Sequence, residues 1–597
     1  MREFSLPALY EVPSGGNLSD LIHRNAEVHP TLAVVSRKTD GRWQDVTATG
    51  FLAEVRAAAK GLIAAGIGPG DRVGIMSRTR YEWTLLDFAV WCAGAVTVPV
   101  YETSSAEQVE WILGDSGAVA VVTETAGHRA TVERARERLP ELAHVWEFDA
   151  GAVEELTRGG AAVSDAAVAE RRATLGPDSV ATIVYTSGTT GRPKGCLLTH
   201  GNFLAELGNV TERLRPLFRT GEDSVLLFLP LAHVLGRIAE IACAIAPVKI
   251  GHVSDIRDVT QELGSFSPTL ILGVPRVFEK VYNTARAKAQ AEGKGRIFDR
   301  AADTAVAYSR ALDSGGPGLG LRLRHRLFDA LVYRRLRAAL GGRATHAISG
   351  GAPLGERLGH FYRGIGFTVL EGYGLTETCA ATAFNPYDKP KIGTVGQPLP
   401  GSAIRIAEDG EVLLRGPQVF AGYWNNPTAT AEALRDGWFA TGDLGALDDD
   451  GYLVITGRKK EIIVTAGGKN VAPAVIEDRV RAHPIVGECM VVGDRKPFIA
   501  CLITIDQEFW PTWKRLHGKP ADATVADLGD DPDLLAAVQA AVDDGNKAVS
   551  KAEAVKKFRI LQAHFSEDSG HLTPSLKLKR GVVLKDYAAD VEALYQR

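Results

Sequence analysis

Short apolar strands alternate with helices through the first part of this sequence, and this alternation limits the folds available to the chain. Residues 53–65 have the pattern of a helix, and residues 72–76 have the pattern of a buried strand. A second helix at 81–93 precedes apolar strands at 95–100 and 118–123. Strands separated by helices pair in parallel. The sequence therefore predicts an α/β fold with parallel-rich sheets sandwiched by helices.

The chain length and a later change of pattern together predict two domains. At 597 residues the chain exceeds what one hydrophobic core supports. Residues 402–423 carry shorter, more β-like segments, which indicate a β-rich subdomain. After Gly457 a strand, a glycine pair, a helix and two strands indicate a compact α/β unit. We predict an N-terminal domain over residues 1–457, a hinge over 458–460 and a small C-terminal domain over 461–597.

Charge and cysteine content argue against several classes of protein. The formal net charge of −4 provides no overall attraction to nucleic acid, so we expect no nucleic-acid partner. The six cysteines are scattered without a CxxC pair, which argues against a disulfide framework or a zinc site and favours the reducing cytoplasm. The longest apolar stretch, 85–101, is interrupted by Asp87 and Gly94 and is too broken to span a bilayer. We expect a cytoplasmic protein, soluble or at most peripheral to a membrane.

One segment departs from the general charge balance. Residues 280–343 are predicted to be helical and contain fourteen Lys or Arg against five Asp or Glu. Two interpretations remain open at this point. The segment is either an ordinary solvated helical face, or a surface that contacts the phosphates of a coenzyme or the anionic head groups of a membrane.

The segment 185–195, which reads YTSGTTGRPKG, follows an apolar strand and has the composition of a phosphate-binding loop. Its glycines allow backbone N–H groups to converge, its hydroxyls add donors, and its lysine supplies positive charge. The spacing is neither that of a Walker loop nor that of a dinucleotide-binding GxGxxG turn. The sequence therefore predicts a polyphosphate-binding loop of a different type from these two.

Five segments in this order resemble the motifs of the acyl-adenylate-forming enzymes. Besides 185–195 they are SGGAPL at 349–354, EGYGLTET at 371–378, TGD at 441–443 and GRKKE at 457–461. The resemblance extends over residues 18–579. Within the family, residues 72–101, 274–280 and 572–579 and the basic helical segment are most similar to long-chain fatty acyl-CoA synthetases.

The resemblance implies a reaction in two halves. A fatty acid and ATP, with Mg²⁺, would form an acyl-adenylate and pyrophosphate, and the thiol of CoA would then displace AMP to form acyl-CoA. A mobile C-terminal domain would pivot at Lys460 between the halves. No covalent enzyme intermediate is needed, which fits a chain without an evident nucleophile constellation.

The resemblance also assigns roles to individual residues. The phosphates of ATP would contact Thr186, Ser187, Gly188, Thr189, Thr190, Gly191 and Lys194. The adenine would lie against Gly351, Ala352, Pro353, Glu371, Gly372 and Tyr373, with Tyr373 stacked on it. The ribose would bind Asp443 and Arg458, and the pantetheine of CoA would pass Gly467, Gly468 and Lys469. Thr186 and Glu377 would hold Mg²⁺, and the catalytic residues would be Lys577, Glu377, Thr376 and His233.

Several assignments retain alternatives. Lys579 competes with Lys577 as the catalytic lysine, although Lys577 better matches the family's register. His233 either lines the acyl site or is an ordinary core histidine. Residues 274–280 either gate the acyl site through Phe278 or Arg276, or form a plain junction between a strand and a helix. The acyl acceptor could be a carrier protein instead of CoA, and chain-length preference and oligomeric state, a homodimer included, stay open.

Overall fold

The structure is a computed structural model that describes residues 2–186, 192–567, 569–573 and 577–596. Its strands, in chain order, are β1 (Glu3–Ser5), β2 (Ala33–Thr39), β3 (Arg42–Thr47), β4 (Arg72–Met76), β5 (Val96–Val100), β6 (Ala118–Thr123), β7 (His144–Glu147), β8 (Val180–Thr186), β9 (Lys194–Thr199), β10 (Ser224–Leu227), β11 (Lys249–His252), β12 (Leu270–Gly273), β13 (His346–Ser349), β14 (Thr368–Tyr373), β15 (Ala383–Phe384), β16 (Gln397–Pro398), β17 (Ala403–Ile406), β18 (Glu411–Arg415), β19 (Gly422–Tyr423), β20 (Leu434–Arg435), β21 (Trp438–Leu447), β22 (Leu453–Arg458), β23 (Ile463–Val464), β24 (Asn470–Val471), β25 (Val486–Val492), β26 (Ile499–Ile505) and β27 (Val555–Ile560).

The helices are α1 (Ser19–Val28), α2 (Ala48–Ala64), α3 (Tyr81–Cys92), α4 (Ala106–Ser116), α5 (Ala126–Ala135), α6 (Ala152–Gly159), α7 (Asp165–Arg172), α8 (His200–Arg213), α9 (Val234–Ile245), α10 (Val259–Phe266), α11 (Pro275–Ala291), α12 (Gly295–Leu312), α13 (Leu319–Phe328), α14 (Arg334–Ala339), α15 (Glu356–Gly364), α16 (Pro427–Ala433), α17 (Pro473–Arg481), α18 (Trp510–Leu516), α19 (Pro532–Asn546), α20 (Arg580–Asp586) and α21 (Ala588–Tyr595). The helix predicted over 53–65 begins earlier, at Ala48, because the side chain of Thr47 caps it by accepting a hydrogen bond from Gly50 N.

Two large, mostly parallel sheets form the first domain, as the alternation predicted. One has the strand order β16-β15-β14-β13-β12-β10-β11-β2-β3, and the other has the order β19-β9-β8-β5-β4-β6-β7. The predicted β-rich subdomain is a third sheet, β1-β17-β18-β21-β20, with β22 paired to β21. Strand β1, at the start of the chain, completes that sheet by pairing antiparallel with β17.

Helix α3 joins the two large sheets. All of its residues except Glu82 are buried, as expected for a helix that is apolar on every side. The Thr84 hydroxyl bonds to His252 Nε2 at the end of β11 over 2.8 Å, and Trp91 Nε1 donates to the Ala181 oxygen in β8 over 2.9 Å. The helix is therefore hydrogen-bonded to both sheets and fills the core between them.

The C-terminal domain has its own core. Helices α17 and α19 pack on the sheet β25-β26-β27, and buried side chains such as Ile476, Val480 and Val538 form a cluster separate from that of the first domain. Strand β22 still belongs to the first domain, and a 3₁₀ turn at Lys459–Glu461 follows it directly. The turn coincides with the predicted hinge, whose movement stays a prediction.

The basic segment consists of α11, α12, α13, a π-helical turn at Asp329–Tyr333 and α14, which confirms its predicted helical character. In the part of the chain that the structure describes, none of the helices has both the length and the apolar character needed to cross a membrane.

Candidate active site

A deep cleft separates the two domains, and residues of both line it. The first domain contributes the ends of β8 and β14 and the beginning of α11, and the second contributes Glu461 and Lys577. Most of the residues predicted from the five motifs therefore meet in one place, although they come from distant parts of the chain.

The hairpin β8–β9 carries the predicted phosphate loop. Thr186 and Lys194 face each other across its two strands, and both line the cleft. The base of the hairpin is anchored because the Tyr185 hydroxyl donates to the Asp115 carboxylate over 2.6 Å. The predicted contacts Ser187, Gly188, Thr189, Thr190 and Gly191 lie outside the described residues.

Glu377 lies in a 3₁₀ turn, Thr376–Thr378, which contacts β9 and lines the same cleft. The hydroxyl of Tyr423 donates to Glu377 Oε1 over 2.7 Å, and the ring of Tyr423 carries the Lys194 ammonium group 4.9 Å from its centre. Tyr423 thus orients an anion and a cation that both face the cleft. Sequence reasoning missed it, and the only local signal is the aromatic pair that follows Gly422.

The oxygens of Glu377 and Thr186 suit Mg²⁺, which binds few protein oxygens alongside phosphate. Glu377 has one oxygen engaged by Tyr423, and a carboxylate retains further lone pairs for a metal. The donor set therefore fits the predicted metal.

Asp443 is buried, and both of its oxygens are hydrogen-bonded. Arg458, its neighbour across β21 and β22, donates from Nε to Asp443 Oδ1 over 2.7 Å, and the hydroxyl of Tyr373 donates to Oδ2 over 2.7 Å. A second, longer bond of 3.4 Å runs from the Arg458 guanidinium to Oδ2, and a carboxylate has about four lone-pair sites, so one remains for a ribose hydroxyl. Tyr373, predicted to stack on adenine, also holds this carboxylate in place.

The adenine-binding residues divide into two groups. Gly351, Ala352, Pro353, Gly372 and Tyr373 line the cleft. Glu371 differs: its side chain is buried, and its carboxylate accepts a hydrogen bond from Leu354 N over 2.9 Å. Burial raises the pKa of Glu371 to about 7. Its carboxylate thus stabilises the loop 349–354 through this hydrogen bond.

Lys577 projects from the C-terminal domain into the cleft. The backbone around it is held by a short bridge between Leu572 and Leu578 and by Lys577 N, which donates to Thr573 Oγ1 over 3.0 Å. The side chain is exposed to the solvent of the cleft, yet the surrounding protein displaces bulk water, and this desolvation, followed by the charge of Arg458, lowers the pKa of Lys577. Lys577 is among the residues that line the cleft, whereas Lys579, the competing candidate, is not.

His233 lies where the cleft meets an apolar cavity. Its Nδ1 accepts a hydrogen bond from Leu235 N over 3.1 Å and so caps α9. Burial, with a smaller contribution from Lys577, lowers the pKa of His233 to about 4, so the ring is neutral at pH 7. His233 is therefore both a helix cap and a part of the cavity wall, and the two interpretations of the sequence are compatible.

The apolar cavity runs from the cleft into the first domain between α8 and α9. Lys577, Thr376 and His233 surround its mouth, and Leu207, Val210, Phe218, Ile238 and Cys243 are among the side chains of its wall. A mainly aliphatic wall with polar groups at one end matches a molecule with an alkyl tail and a polar head.

The predicted hinge and CoA residues lie apart from this mouth. Lys460 is exposed in the 3₁₀ turn and lines the cleft. Gly467, Gly468 and Lys469 form an exposed turn of the C-terminal domain outside the cleft lining, with Lys469 Nζ 3.3 Å from the Glu553 carboxylate. In this orientation the domain presents Lys577 to the cleft, and the turn 467–469 points elsewhere.

The predicted gate segment, residues 274–280, begins α11. Phe278 is fully buried and packs edge-to-face against Tyr362, with ring centres 5.7 Å apart. Arg276 instead reaches the C-terminal domain and donates to Asp506 Oδ2 over 2.7 Å, and Lys280 Nζ lies 2.9 Å from Glu508. The segment therefore contains a core aromatic and two ion pairs that link the domains.

Comparison with known proteins identifies relatives across the whole chain. A family model described as AMP-binding enzyme matches residues 22–424, and one for the AMP-binding enzyme C-terminal domain matches residues 460–597. Long-chain-fatty-acid–CoA ligase FadD15 of Mycobacterium tuberculosis is 53% identical over 100% of both chains, and human ACSBG1, also a long-chain-fatty-acid–CoA ligase, is 30% identical over 98% of this chain and 86% of its own. The crystal structure of ATP-bound MatB from Rhodopseudomonas palustris shares the fold, with a TM-score of 0.69, 24% identity and coverage of 96% of this chain and 99% of that one.

Proposed function

We propose, since this chain belongs to the AMP-binding enzyme family, that it is an AMP-forming long-chain fatty acid–CoA ligase. Relatives that match it over their full length are long-chain-fatty-acid–CoA ligases, which supports the substrate class. The structural observation that carries the proposal is the mouth where Lys577, Thr376 and His233 join an apolar cavity to the cleft.

In the first half-reaction an oxygen of the fatty acid carboxylate attacks the α-phosphorus of ATP, and pyrophosphate leaves. The alkyl tail would occupy the apolar cavity, so that the carboxylate lies at its mouth. The Lys577 ammonium would stabilise the negative charge shared by the carboxylate and the α-phosphate, and Thr376 would donate a hydrogen bond to the same phosphate. His233 is neutral and would shape the mouth without adding charge.

The leaving pyrophosphate would be stabilised on the other side. Lys194, held over the ring of Tyr423, supplies positive charge there. Glu377 and Thr186 would hold Mg²⁺, which when bound neutralises charge on the phosphates. Asp443 and Arg458 would fix the ribose, so that the α-phosphorus lies in line with the attacking carboxylate.

In the second half-reaction the sulfur of CoA attacks the acyl carbon and AMP leaves. For this step we propose that the C-terminal domain rotates about Lys460, which withdraws Lys577 and brings Gly467, Gly468 and Lys469 to the cleft. Glycines allow the close backbone approach that a narrow pantetheine passage requires. The rotation would break the ion pairs Arg276–Asp506 and Lys280–Glu508.

The test is to incubate the purified protein with palmitate, ATP, Mg²⁺ and CoA and to measure palmitoyl-CoA, AMP and pyrophosphate. We expect the three products in equal amounts. Accumulation of palmitoyl-AMP without thioester would contradict the CoA ligase and favour transfer to a carrier protein. A panel of acids from acetate to long chains tests the substrate class, and a preference for short or aromatic acids would contradict it.

We also propose a cytoplasmic location. All six cysteines are buried and free, which suits a reducing compartment. Contact of the basic segment 280–343 with a membrane belongs to the same proposal.

A further inference from the structure

A row of exposed leucines crosses the outer face of the basic segment. Leu319, Leu323, Leu327 and Leu331, here called the leucine stripe, are 79%, 67%, 57% and 48% exposed. They are spaced four residues apart along α13 and the π-helical turn that follows, so they lie on one side of the helix. Isolated exposed leucines are ordinary, but four in one row form a continuous apolar surface.

The opposite side of α13 is firmly packed. The ring of His325 stacks on Tyr308, with centres 3.9 Å apart, and its Nε2 is bonded to the Gly364 oxygen over 2.6 Å. Phe328 is buried, and the hydroxyl of Tyr333 donates to the Ala301 oxygen over 2.7 Å. The helix is thus held by its inner face, and the stripe is presented outward on a rigid support.

Arginines accompany the stripe. Arg324 and Arg326 are exposed, and at about 100° per residue they lie on either side of the leucines. Arg335, in the next turn, is also exposed. None of the three forms an ion pair within the described ranges, whereas the acidic residue in this stretch, Asp329, is paired with Arg334 and Arg337.

We infer that α13 is an interfacial helix that docks the protein on an anionic lipid bilayer, with the leucine stripe in the head-group region and the arginines against lipid phosphates. An apolar face bordered by cations is the pattern of helices that lie in a membrane interface. A second copy of the chain fits this surface less well, because a symmetric contact would bring unpaired arginines together. The same segment reaches the cleft, since α12 packs on α11, and Ala287 and Ala291 of α11 line the cleft.

The inference deepens the proposed membrane contact of the basic segment and rests on that part of the proposed function, but it does not depend on the proposed enzymatic activity. The test is flotation of the purified full chain with vesicles of phosphatidylglycerol and phosphatidylcholine, or of phosphatidylcholine alone. We expect binding to the anionic vesicles, at least tenfold weaker binding to the neutral ones, and weaker binding in 0.5 M than in 0.1 M salt.

Two sets of variants locate the surface. The double variant Leu323→Gln/Leu327→Gln should lower the partition coefficient on anionic vesicles at least tenfold, and Arg324→Gln/Arg326→Gln/Arg335→Gln should lower it by about fivefold for each charge. Matched controls are Leu9→Gln/Leu516→Gln, which removes two other exposed leucines, and Arg42→Gln/Lys389→Gln/Lys551→Gln, which removes three other exposed cations. Both controls should bind as the unaltered protein does.

Acyl-CoA formation in vesicle-free solution with a water-soluble acid separates this inference from the proposed function. The stripe variants should keep that activity, and a loss of vesicle binding then reflects docking alone. The inference would be overturned if the wild-type protein does not bind anionic vesicles, or if the stripe variants bind them as strongly as the controls do. A wild-type dimer that the leucine variant converts to monomers, without vesicle binding in either, would assign the stripe to a protein contact instead.

Discussion

Replacing Lys577 with alanine tests the central feature of the proposed site. Lys577 is the cation at the mouth of the apolar cavity, and its neighbours cannot take over its role. Lys194 is held over Tyr423 on the pyrophosphate side, and Arg458 is engaged by Asp443 at 2.7 Å. Loss of a single group that stabilises a developing negative charge slows such reactions by about 10²–10³-fold. We expect Lys577→Ala to slow adenylation by this factor.

The same substitution should leave the second half-reaction almost unchanged, because the proposed rotation withdraws Lys577 before CoA attacks. The two halves are measured separately, by exchange of labelled pyrophosphate into ATP and by thioester formation from supplied palmitoyl-AMP. Since the side chain is solvent-exposed, folding should change by no more than about 0.5 kcal/mol. A thermal melt checks that the loss of rate is not a loss of fold.

Lys579→Ala is the matched control, since Lys579 lies two residues further on and outside the cleft lining. It should retain both half-reactions. Because the pKa of Lys577 is lowered, the ammonium loses its proton at a lower pH than an ordinary lysine, and adenylation should decline on the alkaline side in the wild type but not in Lys577→Ala. Full adenylation by Lys577→Ala, or equal losses in both variants, would refute the assignment.

Three further predictions concern contacts that only the structure revealed. Tyr423→Phe removes the hydrogen-bond donor to Glu377 and should raise the Mg²⁺ concentration for half-maximal adenylation by about three- to tenfold, a loss of ~1 kcal/mol. The control is Tyr452→Phe, which removes a hydroxyl that donates to the Lys389 oxygen. An unchanged Mg²⁺ requirement in Tyr423→Phe would contradict the metal assignment. Arg276→Ala breaks a partly exposed ion pair with Asp506 and should slow adenylation by no more than about fivefold without slowing thioester formation. In a double-mutant cycle with Asp506→Ala, the effects of the two substitutions on the adenylation rate should be coupled. Additive effects would exclude a direct role for the ion pair. The pKa of Glu371 is about 7 in the folded protein against an ordinary 4.5, so the unfolded chain releases this proton first as pH rises, and up to about 3 kcal/mol of stability should be lost between those pH values. In urea unfolding, the free energy of unfolding should differ less between pH 5 and pH 8 for Glu371→Gln than for the wild type. An equal difference in both proteins would mean that Glu371 does not cause the pH dependence.

The local pattern of apolar and polar residues was enough to predict much of the fold. Alternating strands and helices were enough to predict parallel sheets, since that pattern depends only on neighbouring residues. Helix ends were less accurate, as α2 shows, because a cap such as Thr47 lies outside the apolar pattern. The pairing of β1 with β17 could not be predicted, because it joins residues 400 positions apart in a short edge strand.

The sequence by itself indicated the class of chemistry, because five ordered motifs resemble those of the acyl-adenylate-forming enzymes, and the roles of individual residues followed from that resemblance as predictions. Only the tertiary structure decided how these groups act together. It is the pairing of β19 with β9 that brings Tyr423 to Lys194, and the packing of α8 and α9 that leaves the apolar cavity. The orientation of the C-terminal domain places Lys577, and not Lys579, in the lining of the cleft. Each of these depends on contacts between residues far apart in the chain, and local sequence patterns do not encode such distances.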